Sequence, residues 1–444
     1  MDCFIGLDMG TSAVKGVVMT KEGRILGTAS GKFTYFTENL GKFIDPAEFC
    51  GVVKKTIKEL ALKAGCGNKI AAICSCCASG DPVFLDGNYN PITPIISWQS
   101  ACTKEELERV YTPEEQKEMY KIVGWGCDTN MPCAHFAWIK ENKPEILEKA
   151  AVVTMSCEYL NWQLTGEWGI ADSMATPSYL VDQEKADYSD MMLDKFGLRG
   201  KFLPPVRRKG TVLGKVKPEI ASELSLSEDT VVVLGTFDHP SGAMGAGVLE
   251  EGEMLLSCGT SWVEFFPVSS REFALTTGGL VDKFLPDGAP YCVMKSLDSV
   301  ADKINALKEH YFPGVGFAEM DRLIMQSELG CGGLTFNYDD SDFTKGEGFP
   351  QCHIARAIYE SAAMRLKNNI AYLRGFGLKP DRITMVGGIT NSAVIMGVIS
   401  EVLGQELRTA KGQETGAAGS ALLAGIGVGA FRNEKEAFAV MDRA

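Results

Sequence analysis

The chain has 444 residues, 45% of them apolar and 23% charged, with a formal net charge of −13. That length exceeds one ordinary core and predicts two domains. The acidic balance, with no long basic run, argues against nucleic acid or an anionic membrane surface as main partner, and no run of roughly 18 apolar residues is present to span a bilayer.

In chain order, residues 3–9 and 15–20 read as paired strands, and a turn at Lys21-Glu22-Gly23 leads into a third strand at 25–36. Asp45-Pro46 opens a helix to about residue 63, because Asp caps free N–H groups and Pro suits the first turn. Residues 70–75 form a buried-type strand, and 83–86 and 93–97 are expected to continue the sheet around Asp86-Gly87. Helical patterns dominate 103–164, with Thr112 as a cap and Pro113 at the first helical position. Segment 168–215 is irregular.

The apolar strand at 231–235 runs into Gly235-Thr236-Phe237-Asp238-His239-Pro240 and a small-residue helix at 241–247. The inter-domain hinge is placed at 235–248, with a domain at 1–240 and a second at 241–444. The second half has hairpins at 253–266, helices near 298–310, 317–327 and 352–374, a strand at 382–386, and helices at 392–403 and 416–427. Strands come first and helices after in both halves, which predicts α/β lobes.

Fourteen cysteines lie at irregular spacings. Cys74 and Cys77 have C-x-x-C spacing, but no second pair follows, so a structural zinc is not expected. Without a signal peptide the plain reading is reduced thiols in a cytoplasmic protein.

A short pattern occurs twice. Gly6-Leu7-Asp8-Met9-Gly10-Thr11-Ser12 with Lys15, and Leu255-Leu256-Ser257-Cys258-Gly259-Thr260-Ser261, are each a strand, a Gly-Thr-Ser turn and a second strand. Such turns aim backbone N–H groups and short hydroxyls at one spot and suit a phosphate. Two of them predict two related lobes gripping a nucleotide, hence a kinase or ATPase. Neither a P-loop nor an H-R-D loop is present. Asp8 beside a phosphate cradle requires a cation between them, so Asp8 is assigned to a hydrated Mg²⁺; the competing role is a β-turn cap.

Asp238 follows a buried strand, where open α/β sheets place their sites, and is the candidate general base; an N-cap of the 241–247 helix is the other reading. His239 is assigned a contact role. Val386-Gly387-Gly388-Ile389-Thr390-Asn391 joins a strand to a helix, and its missing side chains admit a flat ring or a phosphate close to the backbone.

These motifs, in this order, resemble the FGGY family of carbohydrate kinases, nearly end to end. Trp138–Glu145 and Glu158–Gly166 resemble the family's first signature helix and the segment after it, and His353–Glu360 its second. The resemblance implies two actin-like ATPase (ribonuclease H-like) α/β lobes with a central cleft, and ATP with Mg²⁺ as cofactors. It implies that Asp238 deprotonates a sugar hydroxyl. Gly10, Thr11, Ser12, Lys15, Gly259, Thr260 and Ser261 would cradle phosphates, with adenine on the Gly387, Gly388 and Asn391 side. Asp81, Trp98, Gln99 and His239 would face the sugar or polyol; Asp81 suits vicinal hydroxyls or a turn before Pro82.

Four departures stand out. Trp98-Gln99-Ser100-Ala101-Cys102 lacks the Asp and Arg of the family's Trp-x-Asp-x-Arg, and Ala78-Ser79-Gly80 replaces the Gln-Met-His common in xylulose kinases. His135 stands for a usual Lys, and no Gly-Glu-Arg-x-Pro stretch occurs near 336–350. The expected activity is ATP-dependent phosphorylation of a ketopentose such as xylulose, or of a linear polyol. A non-catalytic sugar- or nucleotide-responsive protein is the alternative; an actin-like filament former fits the fold only. A homodimer is the default oligomer.

Overall fold

The computed structural model describes residues 2–38, 41–78, 80–259, 261–286, 288–338, 343–410, 412 and 414–443. The chain forms two compact units, one of Met1–Leu249, Gly278–Tyr291 and Glu414–Ala444, the other of Glu250–Thr277 and Cys292–Gln413. The units therefore interleave in sequence rather than meeting once after residue 240, and residues 235–248 lie inside the first unit.

The first unit is built on strands β1 (Asp2–Met9), β2 (Ala13–Thr20), β3 (Ile25–Lys32), β4 (Lys69–Cys77), β5 (Val212–Lys215) and β6 (Val231–Val233). They lie in the order β5–β6–β4–β1–β2–β3. The hairpin pairs Asp8 with Lys15 antiparallel, while β4 runs parallel to β1 and to β6. β1 and β4 are buried along most of their length, as near-continuous apolar runs must be when both faces are covered.

The Pro46–Ala64 helix starts where Asp45 Oδ1 accepts the N–H groups of Ala47 and Glu48, both at 2.9 Å. Phe49, Val53, Ile57 and Leu60 recur at helical spacing and are buried in the core with Val14, Val18 and Ile5 of the sheet.

The Thr415–Gly427 helix, last but one in the chain, also belongs to this unit and packs on β1, β4 and the Asp238–Ala246 helix. The contacts are backbone to backbone. A Cβ on Gly6 would lie 1.9 Å from the Ala417 carbonyl, one on Gly245 2.0 Å from that of Thr415, and one on Gly419 1.9 Å from that of Ser241. At these three positions glycine is required for lack of space.

In the second unit, β7 (Glu253–Cys258), β8 (Trp262–Val268), β9 (Tyr291–Leu297), β10 (Arg382–Val386) and β11 (Leu407–Thr409) neighbour one another in the order β9–β8–β7–β10–β11. β7 and β8 are antiparallel; β10 runs parallel to β7 and β11 to β10. A central antiparallel hairpin whose first strand is joined on its other edge by a parallel strand is thus the plan of both units. The helices Gln351–Gly375 and Ala393–Leu403 pack together beside it.

Several local expectations change. Residues 82–85 pair with Val152–Met155, and Ile95–Ile96 pairs with Phe43–Ile44, so neither continues the main sheet. The third strand stops at Lys32, and Phe36–Glu38 pairs with Gly41–Ile44 instead. The helix expected at 241–247 begins at Asp238. These are short segments whose apolar pattern does not reveal the partner strand.

Gly6→Ala is expected to destabilise the protein by at least about 2 kcal/mol, because the added methyl meets backbone that cannot rotate away. Gly51→Ala, an exposed helix position with nothing within 4 Å of the new Cβ, should instead stabilise by about 0.5–1 kcal/mol. Denaturation midpoints of the two variants against the parent chain test both.

Candidate functional site

Three carboxylates converge in the first unit. Asp8 stands near the end of β1, opposite Lys15 in the hairpin. Asp238 opens its helix at the carboxyl end of β6, and Asp81 follows β4. The charge of Asp238 acts on both of the others. Burial is the first cause that raises all three carboxyls. It takes Asp8 to about 7, with Asp238 and Glu414 adding to the rise and Lys15 opposing it. It takes Asp81 to about 7, opposed by the Trp98 N–H and reinforced by Asp238. Asp238 is raised by burial and drawn back by His239.

Asp238 is the first helical residue; the N-cap is Phe237, so the cap reading does not hold. Its Oδ1 accepts the His239 N–H at 2.7 Å, and the His239 ring packs edge-on to Phe237. Gly235 precedes it, where a Cβ would fall 1.8 Å from the Ser75 carbonyl. This contact lets the chain leave the sheet tightly against β4.

The first turn is closed by the Gly10 N–H donating to the Ala13 carbonyl at 3.1 Å, so that donor is used within the turn. Thr11 Oγ1 accepts the Trp98 indole N–H at 3.0 Å, and the Thr11 carbonyl accepts the Tyr35 hydroxyl at 2.6 Å. Ser12 is exposed, and its carbonyl accepts the Phe33 N–H. Lys15 pairs with Glu414 at 3.1 Å. Glu414 directly precedes the Thr415–Gly427 helix, which brings Gly416 against Asp8; a Cβ there would lie 2.5 Å from Asp8 Oδ2. Nothing near Lys15 in the sequence marks Glu414 as its partner.

Trp98 ties this turn to Asp81, since its backbone N–H donates to Asp81 Oδ1 at 2.7 Å. One residue thus braces a proposed phosphate turn and a proposed sugar carboxylate. Gln99 is exposed and accepts from Lys42 Nζ at 3.1 Å. Where the family pattern places an Asp, Ser100 donates its hydroxyl to the Lys42 carbonyl at 2.7 Å, and its own carbonyl accepts from His135 Nε2 at 2.7 Å. Burial pushes His135 down to about 4, so it is a neutral bolt beneath this loop.

The donor set fits Mg²⁺. Among the described residues no group of three or more His, Cys, Asp or Glu could hold a metal ion. Asp8 offers a carboxylate on which the charge of Asp238 also acts, and the neighbouring ammonium is shared with Glu414. Mg²⁺ keeps several waters and takes one or two carboxylates plus phosphate oxygens, which is what such a site can supply.

In the second unit, the Gly259 turn and the Gly387-Gly388 turn adjoin. Gly387 has φ +110°, and a Cβ on it would lie 2.3 Å from the Cys258 carbonyl. Gly388 is exposed with open space around it, and Gly388–Asn391 forms one 3₁₀ turn ending at exposed Asn391. Ser261 Oγ accepts the Ser299 N–H at 3.3 Å. Thr260 lies outside the described residues, as does Ser79.

Residues 3–245 match the N-terminal domain of the FGGY family of carbohydrate kinases, and residues 334–428 match its C-terminal domain. A xylulose kinase of Staphylococcus epidermidis is 27% identical over 99% of this chain and 91% of its own length. An autoinducer-2 kinase of an Enterobacter species is 23% identical over 98% and 87%. The crystal structure of a ligand-bound xylulose kinase from Lactobacillus acidophilus superposes with a TM-score of 0.89 at 20% identity, covering 99% of this chain and 92% of that one.

The raised carboxyls carry a sign for stability. An Asp81 held at about 7 when folded, against an ordinary value of 3.8, keeps its proton in the native state where the unfolded chain has released it. Its stabilising contribution is complete below pH 3.8 and is lost as pH rises through about 7. Asp81→Asn, which can still accept from Trp98, should therefore gain stability relative to the parent as pH rises across that window. Thermal unfolding of both proteins from pH 4 to pH 8 measures the difference.

Proposed function

Because this chain belongs to the FGGY family of carbohydrate kinases, we propose that it transfers the γ-phosphoryl group of ATP to a hydroxyl of a ketopentose of the xylulose class, with Asp238 as general base. ATP-dependent phosphorylation of a small sugar or polyol is the family's reaction and this chain's. The assignment to a ketopentose is supported by the xylulose kinase likeness along nearly the whole chain. The observation that carries the role of Asp238 is its position after the end of β6, raised by burial, with its charge acting on Asp8 and Asp81.

The base works by accepting the proton of the attacking hydroxyl as the O–P bond forms. A carboxylate raised by burial is a stronger proton acceptor than a solvated one, and His239 opposes that rise. Asp81 orients the sugar through its hydroxyls, its other oxygen being held by Trp98. Ser12, Lys15 and the Thr11 backbone take phosphate oxygens in the first unit; Gly259, Thr260 and Ser261, with Gly387, Gly388 and Asn391, take the nucleotide in the second. Mg²⁺ bound through Asp8 supplies neutralisation of phosphate charge. Alignment and charge stabilisation account for most of the rate, with proton removal adding to them.

All fourteen cysteines are free thiols, which supports a reducing, cytoplasmic setting. No helix of the described residues is long and apolar enough to cross a membrane. A homodimer is proposed on general symmetry grounds alone. Nothing in the similarities or in the described residues favours the non-catalytic alternative.

Asp238→Ala should lower kcat by about 10²–10⁴-fold while ADP binding stays within a few-fold. Turnover in the variant at the parent's rate would overturn the assignment. Chelation of Mg²⁺ should abolish activity and re-addition restore it. ADP release across pentuloses, hexuloses and polyols tests the substrate class: xylulose should turn over fastest, and a linear polyol in first place would refute the ketopentose reading.

A further inference from the structure

The helix that presents Asp238 has no side-chain cap, and its N-cap position is Phe237. What holds Phe237 lies outside the helix. Its N–H donates to Ser173 Oγ at 3.2 Å, and the Ser173 hydroxyl donates to Asp282 Oδ2 at 2.9 Å. Ser173 and Asp282 are both 0% exposed. Asp282 comes from the segment Gly278–Tyr291, which the chain returns to the first unit after leaving it at Leu249.

Asp282 is itself fastened. Its Oδ1 accepts the Lys283 N–H at 2.7 Å, Thr176 donates to it, and the ammonium of buried Lys209 contributes favourable charge. The Ser173 N–H donates to Asp172 Oδ1 at 3.0 Å, and the same oxygen accepts the Lys209 N–H at 3.1 Å. The Phe237 ring meets Trp125 edge-on at 5.2 Å. A buried carboxyl is costly, and here it orders one hydroxyl so that its oxygen faces one backbone N–H. That N–H belongs to the residue before the proposed base.

We propose that Ser173 and Asp282 are positioning residues for phosphoryl transfer: the chain Asp282–Ser173–Phe237 sets the backbone from which Asp238 reaches the acceptor hydroxyl. The proposal rests on the reading of Asp238 as base. Displacement of a reacting group by about 1 Å costs on the order of 10²-fold in rate, so a loosened Phe237 is felt in turnover before it is felt in binding.

The test is steady-state kinetics of the full chain with ATP, Mg²⁺ and whichever acceptor of the sugar panel turns over fastest. Ser173→Ala and Asp282→Leu should each lower kcat by about 10- to 100-fold, with KM for ATP and acceptor within about 3-fold. Asp282→Asn keeps an acceptor oxygen for Ser173 and should recover most of kcat. The Ser173→Ala/Asp282→Leu double variant should be no slower than the slower single, as expected of residues acting in series. Should Asp282→Leu fail to fold, Ser173→Ala and Asp282→Asn decide the matter. A kcat for Ser173→Ala within 2-fold of the parent, additive losses in the double variant, or a KM change as large as the kcat change would each overturn the proposal. In an Asp238→Ala background, Ser173→Ala should cost nothing further. If Asp238→Ala is inactive while Ser173→Ala is fully active, only the positioning chain fails. If Asp238→Ala is fully active, the base assignment fails and the chain loses its object.

Discussion

Everything in the first unit depends on how closely the Thr415–Gly427 helix approaches β1 and the Asp238–Ala246 helix. Backbone meets backbone at Gly6, Gly245 and Gly419, where a single methyl would overlap a carbonyl oxygen. No side chain separates the three elements, so their relative positions are set by peptide geometry rather than by adaptable packing. Ser241 reinforces the crossing by donating to the Gly416 carbonyl at 2.8 Å. One consequence is electrostatic: Gly416 is brought against Asp8, and Glu414 against Lys15. A second is chemical, since Asp8 and Asp238 are brought within each other's field although they are far apart in sequence.

That field is the central tension of the site. Three carboxyls raised by burial, two of them to about 7, occupy one region, and the lysine in the hairpin is already paired. Buried like charges disfavour one another, and each is relieved by a partner that brings positive charge or hydroxyl donors. A magnesium nucleotide and a polyhydroxylated acceptor are such partners. The electrostatic cost of burying these carboxyls and the proposed specificity thus have the same origin. Trp98 links the two ends of this region, bonding Asp81 with its backbone and Thr11 with its ring.

The two units share a plan, and their turns differ in chemistry. Both place a Gly-Thr-Ser turn on a central antiparallel hairpin flanked by a parallel strand. The strand before the turn ends in Asp8-Met9 in one and Ser257-Cys258 in the other, so a carboxylate beside the turn occurs only in the first. The second unit instead packs Gly387 against the Cys258 carbonyl and leaves open space at Gly388. The proposed division follows from this chemistry, with the cation, the acceptor and some phosphate oxygens handled in the first unit and the rest of the nucleotide in the second.

Local order was legible in the sequence. The twin turns, the Asp45 and Thr112 caps, the strand at Arg382–Val386 and the long Gln351–Gly375 helix all follow from short-range pattern and turn chemistry. Asp8 and Asp238 were legible as candidates from their places beside a glycine turn and after a buried strand, where a turn cap or an N-cap would read the same. Partners distant in sequence were not. The pairing of Pro82–Leu85 with Val152–Met155, the Lys15–Glu414 ion pair, and the Asp282–Ser173 bond join segments that carry no mutual signal. Such contacts are decided by register and packing, and an apolar strand or a single Ser reads alike whichever neighbour it finds. The sequence by itself determined which turns and carboxylates this protein has; only the tertiary structure decided which of them meet, because glycine-to-backbone crossings are properties of two segments at once.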